Sequence, residues 1–333
     1  MIRILEGPTV ETLDAECYLA ANPDVAAASD GDDEEWARVH FDNNGQHEAC
    51  WQGGRQLYGR WQYHREGLAK LQAAREFKLA CLAERSPRLH ARCGWLDYQV
   101  MDNDLRLLRA SLADGLPVDS AAVSANYYDE AVDDFVASTA GLLLDLGAGY
   151  RHEYHEHVVN VEIDQFPSTD VLAWGTDLPF DDEVFDGAVC LAVLEHVEDP
   201  FAVARELVRV VRGGATIIVD WPFLQPEHGY PNHYFNATME GARSTFERLD
   251  GVASVEAAVP LHMHPVFMLP WVLNRWLEGL PEVERDQFSQ LTVGEIAREL
   301  PHDLIRTAEW AKALSTDAQR IIAAGTRLRI TRA

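Results

Sequence analysis

Gly141-Leu142-Leu143-Leu144-Asp145-Leu146-Gly147-Ala148-Gly149-Tyr150 is the stretch on which the fold turns. Its apolar run is too short for a helix and is bracketed by glycines, which reads as a strand buried on both faces of a parallel sheet. A strand that ends in an acid and runs into Gly-x-Gly brings backbone close to a ligand at the carboxyl end of such a sheet. Glycine is needed there because a Cβ would collide with the ligand or forbid the turn. The dinucleotide pattern G-x-G-x-x-G would require glycine at 152, where His152 stands, and this disfavours a nicotinamide oxidoreductase.

Downstream, strands and helices alternate, as in an α/β sheet covered on both faces. Strands are expected at 157–162, 171–174, 185–191 and 215–219, with a helix from Pro200 to Val211 stopped by Gly213-Gly214. A short strand is expected near Val252–Val259 and a last one at 325–330, with a helical insertion at 267–324 between them. Upstream, residues 55–119 read as a helical connector with spacing through Leu57, Trp61, Leu68, Leu71 and Leu82, and no chemistry is visible in it. Residues 1–54 read as a small helical module, with Asn22-Pro23-Asp24 as a turn and cap signal. Its acidic loop Asp30–Glu35 lacks the spaced ligands of a calcium site. The domain expected from 120 to 333 carries the sheet.

Composition narrows the partners. The net charge is −26, with lysine only at 70, 78 and 312, so phosphate backbones are repelled and nucleic acid is not an expected substrate. No run approaches a membrane-spanning length, and no membrane association is expected. The first residues are too acidic for a signal peptide, which makes the cytoplasm the expected compartment. Cysteines 17, 50, 81, 93 and 190 form no C-x-x-C pair, fitting reduced thiols and no structural zinc.

Four segments, LLLDLGAGY (142–150), VVNVEID (158–164), DLPFDDEVFDGAVCLAVLEHVEDP (177–200) and ELVRVVRGGATIIVDWPF (206–223), occur in the order seen in class I S-adenosylmethionine-dependent methyltransferases of the small-molecule type. The chain resembles that family from about residue 120 to 223. The resemblance implies a Rossmann-like fold, a mostly parallel seven-stranded sheet with an antiparallel last strand, and S-adenosyl-L-methionine as cofactor. It implies that Asp145, Gly147, Ala148 and Gly149 line the methionine half, that Glu162 and the adjoining Ile163 hold the ribose, and that Asp177 and Leu178 lie at the adenine. Leu191 and Ala192, with Leu194, would lie beneath the methyl group, and Tyr128, beside Tyr127 on an expected helix, would cover the cofactor. The family's acid shortly before "LPF" is replaced by Trp174, leaving adenine recognition to Asp177 or a backbone amide. The segment after Gly149 is short and rich in His and Glu, so its helix is expected to be truncated. Residues 18–28 and 37–49 resemble a short helical repeat of bacterial surface-associated and glycan-processing proteins, which implies a protein-binding or packing role.

The loop 220–236 gathers His228, His233, Glu227, Tyr230, Tyr234 and three prolines after the fifth strand. A histidine there, His228 or His233, or else His196 past the fourth strand, is a candidate base for an acceptor hydroxyl or amine. Anchoring of the loop is the competing role. Metal ligation by Glu227, His228 and His233, joined by His262 or His264, has acceptable ligand types, but the spacing does not support it and no metal is expected. Trp271, Leu273, Trp276 and Leu277 have helical spacing, suited first to a core or a homodimer contact. The leading expectation is O-methylation of a small molecule or glycan precursor. The alternative is a catalytically inactive cofactor-binding scaffold whose N-terminal module docks a protein partner.

Overall fold

The computed structural model describes residues 1–3, 15, 18–19, 23–29, 33–41, 43, 65–100, 103–112, 116, 127–151, 153–229, 232–298 and 308–321. The described strands are β1 (Ile2–Arg3), β2 (Cys93–Val100), β3 (Asn103–Ala110), β4 (Leu143–Leu146), β5 (Glu153–Tyr154), β6 (Val158–Glu162), β7 (Val171–Leu172), β8 (Phe185–Leu191) and β9 (Val211–Asp220). Seven of them form one sheet in the order β2-β3-β7-β6-β4-β8-β9, while β1 pairs with β5. Every residue of β4, β6, β7 and β8 is buried, which is why these strands read as unbroken apolar runs. The chain passes from β4 to β6 and β7 on one side and to β8 and β9 on the other, so the order reverses at β4. The carboxyl end of β4, where Gly147 follows, is therefore the switch point at which ligands bind such sheets.

By its contacts the chain divides into two units: Met1–Leu194 with Glu198–Trp221 and Ser244–Val255, and Glu195–Val197 with Pro222–Arg243 and Glu256–Ala333. The first holds the sheet, with α1 (Pro23–Ala27), α2 (Asp33–His40), α3 (Arg65–Arg85), α4 (Leu89–Arg92), α5 (Glu130–Ser138) and α6 (Pro200–Val210). Asp129 caps α5 by accepting from the Val132 amide, and Asp199 caps α6, with Pro200 in its first turn. Val132 and Val136 of α5 pack on Leu143, Val158, Val189 and Leu191 of the central strands. Near the N-terminus, Tyr18, Val25, Ala37 and Phe41 make a small core of their own. Asp33–Glu35, the end of the acidic stretch, form the first turn of α2.

The second unit contains the helices Met268–Glu278, Glu282–Ser289, Val293–Arg298, Glu309–Lys312 and Thr316–Ile321. Leu280, Phe288, Leu314 and Ala318 are its core, and Leu273, Trp276 and Leu277 pack against them.

Several expectations are corrected. Within the stretch read as helical connector, β2 and β3 pair antiparallel and supply the antiparallel edge of the sheet. The expected antiparallel last strand, 325–330, lies outside the described residues. No strand occurs at 252–259. Gly213-Gly214 do not follow a helix end; β9 begins at Val211, and the glycines sit where the register against β8 slips between Phe185 and Gly187. Tyr127 and Tyr128 precede α5 rather than lying on it. No helix occurs among the described residues between Gly149 and β6.

Candidate functional site

Gly147 takes φ +68° and Gly149 φ +61° just past β4. A Cβ at Gly147 would meet the Val193 side chain at 2.3 Å, so both backbone angle and space demand glycine. The Gly147 and Ala148 amides donate to Val161 O at 2.9 and 3.2 Å, tying the turn to β6. Ala192, after β8, adopts φ +54°, a conformation uncommon outside glycine, with its amide on Asp220 O at 3.0 Å.

Asp145 is fully buried at the end of β4. Its Oδ2 accepts from the Tyr128 hydroxyl at 2.6 Å and from Arg151 Nε at 2.8 Å. Arg151 is itself buried and lies over the Tyr128 ring at 4.2 Å. Burial, followed by the negative charge of Asp145, pushes the Tyr128 hydroxyl well above its usual range, so it remains a donor.

Glu162 closes β6. Its Oε1 accepts from the Gly149 amide at 3.1 Å, and its Oε2 from the amides of Ile163 and Asp164. Burial raises its pKa to about 7 against the pull of those three amides. Asp177 pairs with Arg92 at 2.5 Å, Arg92 also donates to Leu178 O at 2.8 Å, and the Leu178 amide donates to Glu206. Leu178 and Leu191 are buried.

In the second unit, His196, His228 and His233 come together with ring centroids 4.4–5.6 Å apart. Trp271 lies 5.1 Å from His228. Nδ1 of His196 meets Asn232 O at 2.7 Å and Nδ1 of His228 meets Pro226 O at 2.8 Å. A carbonyl only accepts, so both Nδ1 atoms carry the proton and both Nε2 atoms keep a lone pair. His233 is the opposite: its Nδ1 accepts from the His228 amide at 3.1 Å, so its Nε2 donates to Asn236 Oδ1 at 2.7 Å. Burial lowers the pKa of His196, and lowers that of His228 to about 4, so both rings are neutral near pH 7. Of the residues weighed for metal ligation, His228 joins Glu195 and His196, one donor atom of each lying within 4.8 Å of the others, rather than Glu227 and His233.

Residues 144–219 match the family model of a methyltransferase domain. Those residues run from β4 through β9, across the glycine turn and the switch point just described. This chain contains a methyltransferase domain. No curated protein matches the chain. Among solved structures, it is similar to a Bacillus halodurans protein described as a methyltransferase (22% identity, 29% of this chain and 48% of that one, TM-score 0.24). It is also similar to a Thermotoga maritima S-adenosylmethionine-dependent methyltransferase (22% identity, 33% and 63%, TM-score 0.28). A third is phosphoethanolamine N-methyltransferase 2 of Haemonchus contortus (12% identity, 50% and 44%, TM-score 0.33). The chain thus spans about half the length of the first of these.

The sequence shows Arg151 only as one member of a His- and Glu-rich run and gives no sign that it meets Asp145. Its signal was a cation two residues past the second glycine of the turn, in a strongly acidic chain. Arg92 was hidden inside the supposed connector. Asp170, fully buried, accepts from Arg75 at 3.2 Å, Lys78 at 2.6 Å and the Asn160 amide at 2.8 Å, and fastens α3 to the sheet.

Proposed function

We propose that the methyltransferase domain binds S-adenosylmethionine at the carboxyl end of β4 and transfers its methyl group to a hydroxyl of a small molecule or glycan precursor. The observation that carries this reading is the pairing of a glycine turn at the switch point with a buried acid at the end of each adjoining strand, Asp145 and Glu162. Gly147, Ala148 and Gly149 leave room for the methionine half. Arg151 offers a cation to its carboxylate, while Asp145, fixed by Tyr128, takes its ammonium. Glu162, with the Ile163 backbone beside it, accepts the ribose hydroxyls. Asp177, its carboxylate steadied by Arg92, and Leu178 bound the adenine, and Leu191 and Ala192 support the sulfonium end.

Methyl transfer from a sulfonium is an in-line displacement: the acceptor oxygen bonds to the methyl carbon as the carbon–sulfur bond breaks, and the acceptor loses a proton. Of the three histidines weighed for that proton, His196 keeps a lone pair on Nε2. His228, held near pKa 4, is a weak base at neutral pH, and His233 has both ring nitrogens engaged within its loop. The acidic surface favours an uncharged or cationic acceptor over nucleic acid.

Calorimetric titration with S-adenosylhomocysteine, repeated on Gly147→Arg, tests the cofactor site. Micromolar binding that disappears in a folded variant supports the reading, and no binding by folded wild type overturns it.

A further inference from the structure

We infer that Glu195, His196 and His228 form a binding site for a divalent transition-metal ion, with Zn²⁺ as the first ion to test. Each residue offers one donor atom, and the three atoms lie within 4.8 Å of one another. Ligands of Zn²⁺ sit about 2.0–2.2 Å from the metal, so modest side-chain rotations close the set around an ion. Glu195 and His196 are consecutive in a single 3-10 turn, Leu194–His196, and His196 Nε2 lies 3.7 Å from Glu195 Oε1. His228 reaches the same point from a loop more than thirty residues later.

The tautomers are those that a metal bound through Nε2 needs. Asn232 O and Pro226 O hold the Nδ1–H groups of His196 and His228, fixing the tautomer with the lone pair on Nε2. A carbonyl on the distal nitrogen is the outer support that orients ligating imidazoles and raises their basicity. Two unprotonated imidazole nitrogens and a carboxylate oxygen are all electron-pair donors, and a cation is what such a set binds.

The loop is built around this placement. Gly229 takes φ +99°, and a Cβ there would meet His196 Cε1 at 2.1 Å, so glycine lets the loop press against the ring. His233 and Asn236 brace the loop: His233 Nδ1 accepts the His228 amide, and Asn236 Nδ2 donates to Gln225 O at 2.9 Å. The amides of Tyr234 and Phe235 both donate to Glu195 O, pinning the backbone beneath the carboxylate. Two imidazoles and one carboxylate suit Zn²⁺, Fe²⁺, Co²⁺ or Ni²⁺ and not Mg²⁺ or Ca²⁺, which take oxygen. Three protein donors leave a position open on a four-coordinate ion for water or another oxygen or nitrogen ligand. Glu195 is buried, whereas both histidines are partly exposed, which gives an ion a route in.

None of its residues belongs to the S-adenosyl set, and an ion on His196 Nε2 would occupy the lone pair weighed above for the acceptor proton. The test uses the full chain without a histidine tag, stripped with chelator and titrated with Zn²⁺ against a chromophoric competitor, with Co²⁺ spectra as a second readout. One equivalent is expected to bind wild type and His90→Ala, an exposed control, with visible ligand-field bands for Co²⁺. His196→Ala, His228→Ala and the near-isosteric His228→Gln and Glu195→Gln are expected to lose stoichiometric binding while keeping the wild-type circular dichroism spectrum. Absence of binding to folded wild type, or unchanged binding in folded His228→Gln, overturns the site. S-adenosylhomocysteine titrated into the same samples separates the two ideas. Cofactor binding without Zn²⁺ removes the metal site alone, and Zn²⁺ binding without cofactor removes the methyltransferase reading alone.

Discussion

Glu162→Gln is expected to flatten the pH dependence of S-adenosylhomocysteine binding. Burial holds this carboxyl near pKa 7, so in the free protein it is largely protonated at pH 6 and ionised at pH 8. Only the ionised form has both oxygens available as acceptors for two ribose hydroxyls. Wild-type affinity should therefore fall about tenfold per pH unit below 7 and level off above it, because each proton taken up must be released on binding. An ordinary exposed glutamate would show no such slope in this range. The same shift has a stability counterpart of defined sign. The folded carboxyl keeps its proton to about 7 and the unfolded one only to 4.5, so its contribution declines as pH rises between those values and is constant above. The full decline is on the order of 3 kcal/mol. Calorimetric titrations at pH 6, 7 and 8, with urea unfolding of the unliganded protein across pH 4.5–8, measure both. Glu162→Gln should bind more weakly at pH 8, with an affinity that hardly changes with pH. Wild-type affinity that is level from pH 6 to 8, or a slope that persists in Glu162→Gln, refutes the reasoning.

Tyr128→Phe removes a hydroxyl donated to buried Asp145 and should weaken S-adenosylhomocysteine by roughly tenfold, about 1–2 kcal/mol, with little loss of melting temperature, as calorimetry and thermal unfolding can show. Gly147→Ala adds a methyl against Val193 at a positive φ, which should cost about 1–3 kcal/mol in urea unfolding and abolish cofactor binding. Asp170→Asn leaves Arg75 and Lys78 buried without their counter-charge, and should cost about 3–5 kcal/mol in the same assay. Lys78, whose pKa burial lowers to about 8 against the pull of Asp170, is expected to lose its proton on folding near neutral pH in that variant.

Much of the central sheet was legible because its signals are local. Leu143–Leu146, Val158–Glu162 and Phe185–Leu191 are apolar runs of strand length, and Asp199-Pro200 announces a helix start within two residues. The edge hairpin was not legible. In β3 the buried positions Leu105 and Leu107 alternate with exposed Asp104 and Arg106, but Leu108 is also buried, and charges among leucines imitate a helical face. In β2, Trp95 is partly exposed beneath Arg106, so its aromatic character did not mark a core position. Likewise α3 presents Arg75 and Lys78 inward beside Leu68, Leu71, Leu79 and Leu82, which blurs its apolar stripe.

By itself the sequence determined the glycine turn after β4 and the acids Asp145 and Glu162 at the ends of two adjoining strands. Each follows from backbone freedom or apolar periodicity within a single element. Only the tertiary structure decided that Arg151 and Tyr128 converge on Asp145, that Asp170 gathers two cations from a helix some ninety residues earlier, and that His228 rather than Glu227 or His233 joins Glu195 and His196. Spacing along a chain fixes neighbours only within one element. Which side chains meet across elements is set by packing and by the hydrogen bonds that orient each ring, and those exist only once the chain has folded.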